Sequence, residues 1–378
     1  MNNAESAPLD SDTIMQRLTA WLARQKPDWR DITLAPLTVQ LGSGFSAAIF
    51  FVDVAYRDAS GRQEVTLVVR VQPTTYEVVF GSDLKIQGNM MRELNRHTDV
   101  PVPAWIGLEE DPALLGAPFL VMGRVIGQSA SQRPNYNLHG FLVDFTPAQR
   151  RQSWTNAIQA MANLHALNWQ DGFTFLDRPA WGEAGLGQYI GYMVEWHRAA
   201  GQGRAMPIID AAMDYVLKHA PAESDTCVLW GDPTPSNTMF RPDGSVAALI
   251  DWELAALGPP ELDVAWWLYF DDLFSRRFGV KRLPGLPTRD ETIAIYEATA
   301  GRKLRWMDYY DIVAALRMAL VAVGAFDRQV SLGNIKPDNA SLNGNLMTLY
   351  LAEKLHLPLP EFGEDFRIFM SNLTPVDA

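Results

Sequence analysis

The pattern of apolar and polar positions changes character about a third of the way along the chain. Thr38 to Leu41, Ala48 to Tyr56 and Val65 to Val71 are short apolar or alternating runs rich in β-branched and aromatic residues, and such runs predict strands. The first two are separated by Gly42-Ser43-Gly44-Phe45-Ser46 and the next two by Asp58-Ala59-Ser60-Gly61, turn chemistry that makes the pattern antiparallel. Leu84 to Arg96 has a helical period, and Ala117 to Val125 reads as a closing strand. Ahead of them, Ser11 or Asp12 caps a helix through about Arg24, with Ile14, Leu18 and Trp21 on one face.

From Ile126 onward the period is mostly helical. Pro147 to Asn168, Leu186 to Ala200, Pro207 to His219, Leu262 to Phe278, Asp290 to Ala300, Met307 to Arg328 and Leu342 to Leu355 are predicted helices. The exceptions are Val228 to Trp230 and Val246 to Ile250, strand-like runs on either side of a turn at Arg241-Pro242-Asp243-Gly244. The expectation is an α+β chain with an N-terminal extension and helix over 1–30, a small lobe over 31–125 built on a five-stranded antiparallel sheet with one helix, and a larger, mainly helical lobe over 126–378. Arg276 to Thr288, with Pro284, Gly285 and Pro287, reads as an exposed loop able to shape a substrate mouth. Ala314 to Phe326 is strongly apolar but short and carries Arg317, so it reads as a buried helix rather than a membrane span.

Composition narrows the function. The 378 residues are 48% hydrophobic, enough for two cores. A net charge of −12 argues against nucleic-acid binding, which depends on clustered Lys and Arg. Met1 to Asp12 is polar and acidic, so no secretory signal is expected. A single cysteine, Cys227, fits a reducing cytoplasm and permits no internal disulfide. The six histidines lack metal-ligand spacing, which argues against zinc, and His165, on an apolar helical face, is expected to be a hydrogen-bonded packing residue.

The chemistry concentrates in Val228-Leu229-Trp230-Gly231-Asp232-Pro233-Thr234-Pro235-Ser236-Asn237, followed by Leu249-Ile250-Asp251-Trp252-Glu253. Asp232 stands five residues before Asn237, the spacing of an H-x-D-x-x-x-x-N catalytic loop, and Asp251 ends the next apolar run. Phosphoryl transfer needs an aspartate beside the attacking hydroxyl, and an Asn and a second Asp for Mg²⁺. Asp-Pro and Pro-Ser-Asn are also common turn sequences. The strand, loop, turn and strand around them, in that order, are what give the spacing its weight.

The segments WGDPTPSNTMF and LIDWELAALGPPELDVAWW resemble the aminoglycoside phosphotransferase family, in particular the branch found beside acyl-CoA dehydrogenases. The resemblance runs from about Leu41 to about Tyr310 and implies a protein-kinase-like bilobal fold. It implies that Asp232 is the catalytic aspartate, that Asn237 and Asp251 bind Mg²⁺, and that Asp263 opens a helix and braces the catalytic loop. The family's His-Gly-Asp reads Trp230-Gly231-Asp232 here, so Trp230 is expected to fill the histidine's packing role. On the nucleotide side the resemblance places Gly42, Ser43, Gly44 and Ser46 in a phosphate-cradling turn and Arg70 as the strand cation. Gln87 or Glu93 is its partner, and the connector Met122, Gly123, Arg124 and Val125 lies against adenine.

The implied activity is an ATP-dependent kinase, with GTP as the alternative donor, acting on the hydroxyl of a small molecule. The acceptor stays open between an aminoglycoside, a choline-like amino alcohol and a hydroxylated acyl compound. A pseudokinase is the non-enzymatic alternative, opposed by the intact Asp232, Asn237 and Asp251. Between Asp251 and Asp272 the chain has six carboxylates and no Lys or Arg, interleaved with aromatics. Glu253, Asp271 and Asp272 are the candidate acceptor-site residues, and an acidic mouth would favour a cation.

Overall fold

A computed structural model describes residues 11–36, 38–40, 48–72, 78–337, 339–364 and 366–367. The chain forms two compact units, one comprising residues 1–77 and 83–125, the other 78–82 and 126–378.

In the first unit, α1 (Ser11–Gln25) precedes β1 (Arg30–Leu34), β2 (Thr38–Gln40), β3 (Ala48–Asp58) and β4 (Gly61–Val71), then α2 (Leu84–His97), β5 (Trp105–Glu109) and β6 (Phe119–Gly123). All strand pairs are antiparallel, in the order β1-β3-β4-β6-β5 with β2 also on β3. Leu34 pairs with Val54 and Thr38 with Phe51, so β1 and β2 lie end to end along one edge of β3. Pro36, which has no N–H to donate, falls at the break between them. The sheet is therefore five strands wide although six segments contribute. Alternate residues Val52 and Val54 of β3 and Leu67 and Val69 of β4 point to one face, where they bury Leu18, Trp21 and Leu22 of α1. The N-terminal helix is thus part of this unit's core, and the Trp21 indole N–H donates to Glu109 at 3.0 Å. The capping carboxylate of Asp83 accepts the Lys85 N–H to start α2, and Gly88 lets that helix approach Leu108 and Trp105 of β5.

The second unit carries α3 (Phe141–Asp144), α4 (Pro147–His165), α5 (Leu186–Gly201), α6 (Pro207–Lys218), β7 (Cys227–Leu229), β8 (Thr238–Phe240), β9 (Val246–Leu249), β10 (Ala256–Gly258), α7 (Glu261–Asp272), α8 (Arg289–Ala300), α9 (Met307–Ser331), α10 (Asn339–Asn343) and α11 (Leu346–Lys354). Every residue of α7 from Glu261 to Phe270 is buried. A helix enclosed on all sides loses its amphipathic stripe, and Leu262 through Phe270 accordingly reads as one apolar run broken only by Asp263. A π-helical turn, Leu273–Arg277, prolongs it. By length and composition α9 could cross a membrane, but most of its apolar stretch is buried in this core. Capping boxes at Thr146 with Gln149 and Thr288 with Glu291 fix the starts of α4 and α8.

Two expectations about this unit are corrected. Arg276 to Thr288 is not a free exposed loop: Leu286 is buried, Arg282 donates to the Leu286 and Pro287 carbonyls, and Arg150 donates to that of Pro284. The single helix expected over Leu342 to Leu355 is two, because Asn345 stops one and caps the next through the Met347 and Thr348 amides.

Candidate active site

Two small antiparallel ribbons set the geometry. β7 pairs with β10, with Leu229 opposite Ala256, and β8 pairs with β9, with Thr238 opposite Leu249. Residues 230–237 connect β7 to β8. Gly231 turns the loop with φ 89°, and a Cβ there would collide with the Leu254 carbonyl, so only glycine fits. Asp263, in the first turn of α7, accepts the backbone N–H of Trp230 through Oδ2 at 2.7 Å and that of Gly231 through Oδ1 at 3.2 Å. His165 Nε2 lies 3.0 Å from Asp263 Oδ2, and its Nδ1 lies 2.8 Å from the Tyr296 hydroxyl. A neutral ring that donates from Nε2 and accepts at Nδ1 satisfies both contacts. The Trp230 indole is wholly buried, packs 5.7 Å from Trp252, and donates to the Ile250 carbonyl at 2.8 Å.

The carboxylate of Asp232 is held at both oxygens. Trp266 Nε1 donates to Oδ1 at 2.6 Å, and Asn237 Nδ2 donates to Oδ2 at 2.7 Å and to the Asp232 carbonyl at 3.0 Å. Asn237 is placed by a turn of 3-10 helix, Pro235–Asn237, capped by the Thr234 hydroxyl. Burial pushes the Asp232 carboxyl up to about 6, and the neighbouring Asp251 charge adds to the rise. Opposing it are the Arg317 guanidinium and the bonds from Trp266 and Asn237. A carboxylate with such a raised affinity for protons is suited to take one from a hydroxyl near neutral pH.

Beyond the Thr238–Leu249 pair the Ile250 N–H donates to the Asn237 carbonyl at 2.9 Å, which brings Asp251 to the same ribbon end as Asn237. Asp251 adopts φ 64°, a left-handed conformation that non-glycine residues hold at some cost and often at functional sites. With its amide nitrogen committed to Asp232, Asn237 keeps its side-chain oxygen as a possible metal ligand. That oxygen and the Asp251 carboxylate form a hard, all-oxygen pair, which fits Mg²⁺ better than a soft metal. Among the described residues no group of three or more His, Cys, Asp or Glu could by itself hold a metal. A Mg²⁺ ion here would complete its shell with water and phosphate oxygens, as it commonly does.

The residues expected to bind nucleotide are placed unevenly. Gly42, Ser43, Gly44 and Ser46 lie outside the described residues. Arg70 is buried on β4 opposite Ile49 and Leu120. Of its two expected partners, Glu93 is engaged by Arg92, Arg96 and His97 of its own helix, while Gln87 is buried with no hydrogen bond to its Oε1. Met122 pairs with Val68 and Trp105, and Gly123 with Leu67. The sheet takes two connector amides, Gly123 N–H to Ala104 O at 2.8 Å and Arg124 N–H to Thr66 O at 3.0 Å. Those two N–H groups are therefore not available to a purine edge, which leaves the Val125 N–H and the connector carbonyls to meet it.

Asp271 and Asp272, the candidate acidic-mouth residues, are both paired with arginines. Asp271 receives Arg282 Nε at 3.0 and 2.9 Å on its two oxygens. Asp272 receives Arg276 at 2.7 Å on each oxygen and Arg277 at 3.3 Å. Both charges are compensated internally. Glu253 is partly exposed and lies within electrostatic reach of Tyr192. Sequence reasoning missed Arg317 as part of the site. It is buried in α9 within electrostatic reach of Asp232, with its guanidinium 4.0 Å from the Trp266 ring centroid. Its one signal was a permanent charge inside the most apolar run.

Comparison with known proteins agrees with this architecture. The model of the phosphotransferase enzyme family matches residues 38–303. The chain is 26% identical over 321 residues to acyl-CoA dehydrogenase family member 10 of Mus musculus, covering 82% of this chain and 28% of that protein. It is 25% identical over 297 residues to family member 11 of Homo sapiens, covering 74% of this chain and 34% of that one. The chain thus spans about a third of the length of these relatives. Among solved structures, a candidate aminoglycoside phosphotransferase of Ralstonia eutropha JMP134 superposes with a TM-score of 0.59 at 22% identity, covering 90% of this chain and 94% of its own. An aminoglycoside phosphotransferase APH(4)-Ia variant, in a ternary complex with AMP-PNP and hygromycin B, gives 0.53 at 15% identity, covering 89% and 98%. These likenesses show a kinase-like α+β fold, and the family match over most of the chain shows that it belongs to the phosphotransferase enzyme family.

Proposed function

We propose that this phosphotransferase moves the γ-phosphoryl group of ATP to a hydroxyl of a small molecule, with Asp232 as the catalytic base. The carrying observation is the double restraint on Asp232, one hydrogen bond to each carboxylate oxygen, beside the oxygen pair of Asn237 and Asp251. Asp232 orients the acceptor hydroxyl and takes its proton as the oxygen–phosphorus bond forms and the bond to ADP breaks. Mg²⁺ held by Asn237 and Asp251 would neutralise phosphate charge when bound. Asp263 keeps the loop in register through the Trp230 and Gly231 amides. The AMP-PNP bound by the APH(4)-Ia variant supports ATP as the donor. GTP is tested in parallel.

For the acceptor, the internal pairing of Asp271 and Asp272 weakens the case for a cationic amino sugar, and the acyl-CoA dehydrogenase relatives favour a hydroxylated acyl compound. The test is incubation of the protein with ATP, Mg²⁺ and a panel of hydroxy acids, hydroxyacyl thioesters, amino alcohols and aminoglycosides, read by mass. Phosphorylated product from the acyl members alone supports this acceptor. Product from kanamycin-like compounds alone sinks it while leaving the kinase reading intact. Mg²⁺-dependent nucleotide binding without product from any hydroxyl compound would favour a pseudokinase.

A further inference from the structure

Arg317 stands in the middle of α9 and is only 4% exposed. Placing a permanent guanidinium charge there carries a large desolvation cost, so such residues persist when their surroundings use the charge. The acidic groups within its electrostatic reach are Asp232, Asp263 and the phenols of Tyr189 and Tyr192. Its side chain hydrogen-bonds with the Tyr189 phenol, and its guanidinium carbon lies over the Trp266 ring, 4.0 Å from the ring centroid. The indole N–H of that ring in turn makes the 2.6 Å bond to Asp232 Oδ1. Nη2 of Arg317 is sealed from solvent without a hydrogen-bond partner. A sealed group cannot grip an acceptor or a phosphate without leaving the ring it covers, so beyond the field of its charge on Asp232 its influence passes through what it touches.

We infer that Arg317 is a positioning residue for phosphoryl transfer that acts through Trp266: the guanidinium clamps the indole, and the indole N–H fixes the orientation of the Asp232 carboxylate. The inference rests on the phosphotransfer reading above. A cation over an indole face is an attractive contact that also restricts the ring, and withdrawing electron density from the ring strengthens its N–H as a donor. Asn237 fixes the other oxygen, so the carboxylate is held from two sides. Removing the clamp leaves the base present but less well aimed.

The experiment combines spectroscopy with kinetics. The ¹⁵N-indole resonance of Trp266, assigned by its loss in Trp266→Phe, is followed in Asp232→Asn and Arg317→Met. Both variants are expected to shift it toward a weakly bonded indole. In turnover with ATP, Mg²⁺ and the acceptor found by the panel, Arg317→Met is expected to lower kcat roughly 10- to 100-fold. KM for ATP and for the acceptor stays unchanged, and Arg317→Met adds little to the loss already caused by Trp266→Phe. Should Arg317→Met fail to fold, Arg317→Lys, which keeps the charge without the planar stack, carries the same comparison. An unmoved indole resonance in Arg317→Met overturns the inference. So does a raised acceptor KM at unchanged kcat, or losses that simply multiply in the double variant. If the wild-type protein phosphorylates nothing, the phosphotransfer reading fails, and the indole resonance still decides whether Arg317 holds Trp266 on Asp232.

Discussion

Asp232 has one oxygen bonded to an indole and the other to an amide that is also a candidate metal ligand. The proposed proton transfer and metal binding fall on different residues, and substitutions should separate them. Asp232→Asn is expected to lower kcat roughly 10²- to 10⁴-fold, the range for loss of a general base, with nucleotide affinity retained. Asp251→Ala is expected to abolish the Mg²⁺-dependent part of ATP binding in calorimetry. If Asp251→Ala binds ATP and Mg²⁺ as the wild type does, Asp251 is not a ligand. Asp232, Asn237 and Asp251 were legible because their spacing is local and one loop and one ribbon bring them together. Arg317 was not, because its contact with Trp266 joins two helices 51 positions apart in the chain. The pairing of Asp271 and Asp272 was only partly legible for a related reason. Arg276 stands one helical turn beyond Asp272, a legible spacing, but Arg282 reaches Asp271 only because the chain folds back after the π-helical turn.

Among the elements, α7 links the loop of residues 230–237 to the core. Its Asp263 accepts two loop amides and contacts His165. Asp263→Ala leaves those buried donors without an acceptor, and a loss of roughly 2 kcal/mol or more in denaturant unfolding is expected. Helix α8 gives a pH-dependent test. Hydrogen bonds from the Thr288 backbone, Arg151 and the Thr288 hydroxyl hold the Glu291 carboxyl down at about 2, below its ordinary 4.5. A carboxylate whose pKa is depressed on folding stabilises the protein above its unfolded pKa and loses that contribution as pH falls toward the folded value. Glu291→Gln is therefore expected to be less stable than wild type near neutrality, with the difference closing as pH drops from about 4.5 to about 2. A difference that is flat over this window would contradict the assignment. The strands that sequence reading missed have physical reasons. β1 begins in the polar stretch Asp28-Trp29-Arg30-Asp31, and β5 follows Pro101-Val102-Pro103, which reads as loop. β1 is held by β3, beyond β2 in the chain, and β5 by the following strand β6.

For the whole molecule, the change from strand period to helix period near residue 125 made the α+β class and the two-part organisation readable, because each core is built from its own periodicity. The acceptor was not readable: it depends on which charges remain after the chain has folded back on itself. The central claim, phosphoryl transfer by Asp232, is tested most directly by mass spectrometry of a mixed pool of small hydroxyl compounds incubated with ATP and Mg²⁺. Wild type and Asp232→Asn are run side by side. The account predicts at least one compound that gains a single phosphoryl group with the wild-type protein and gains almost none with Asp232→Asn. The same product formed equally by both proteins, or none from any hydroxyl compound with the wild type, would contradict it.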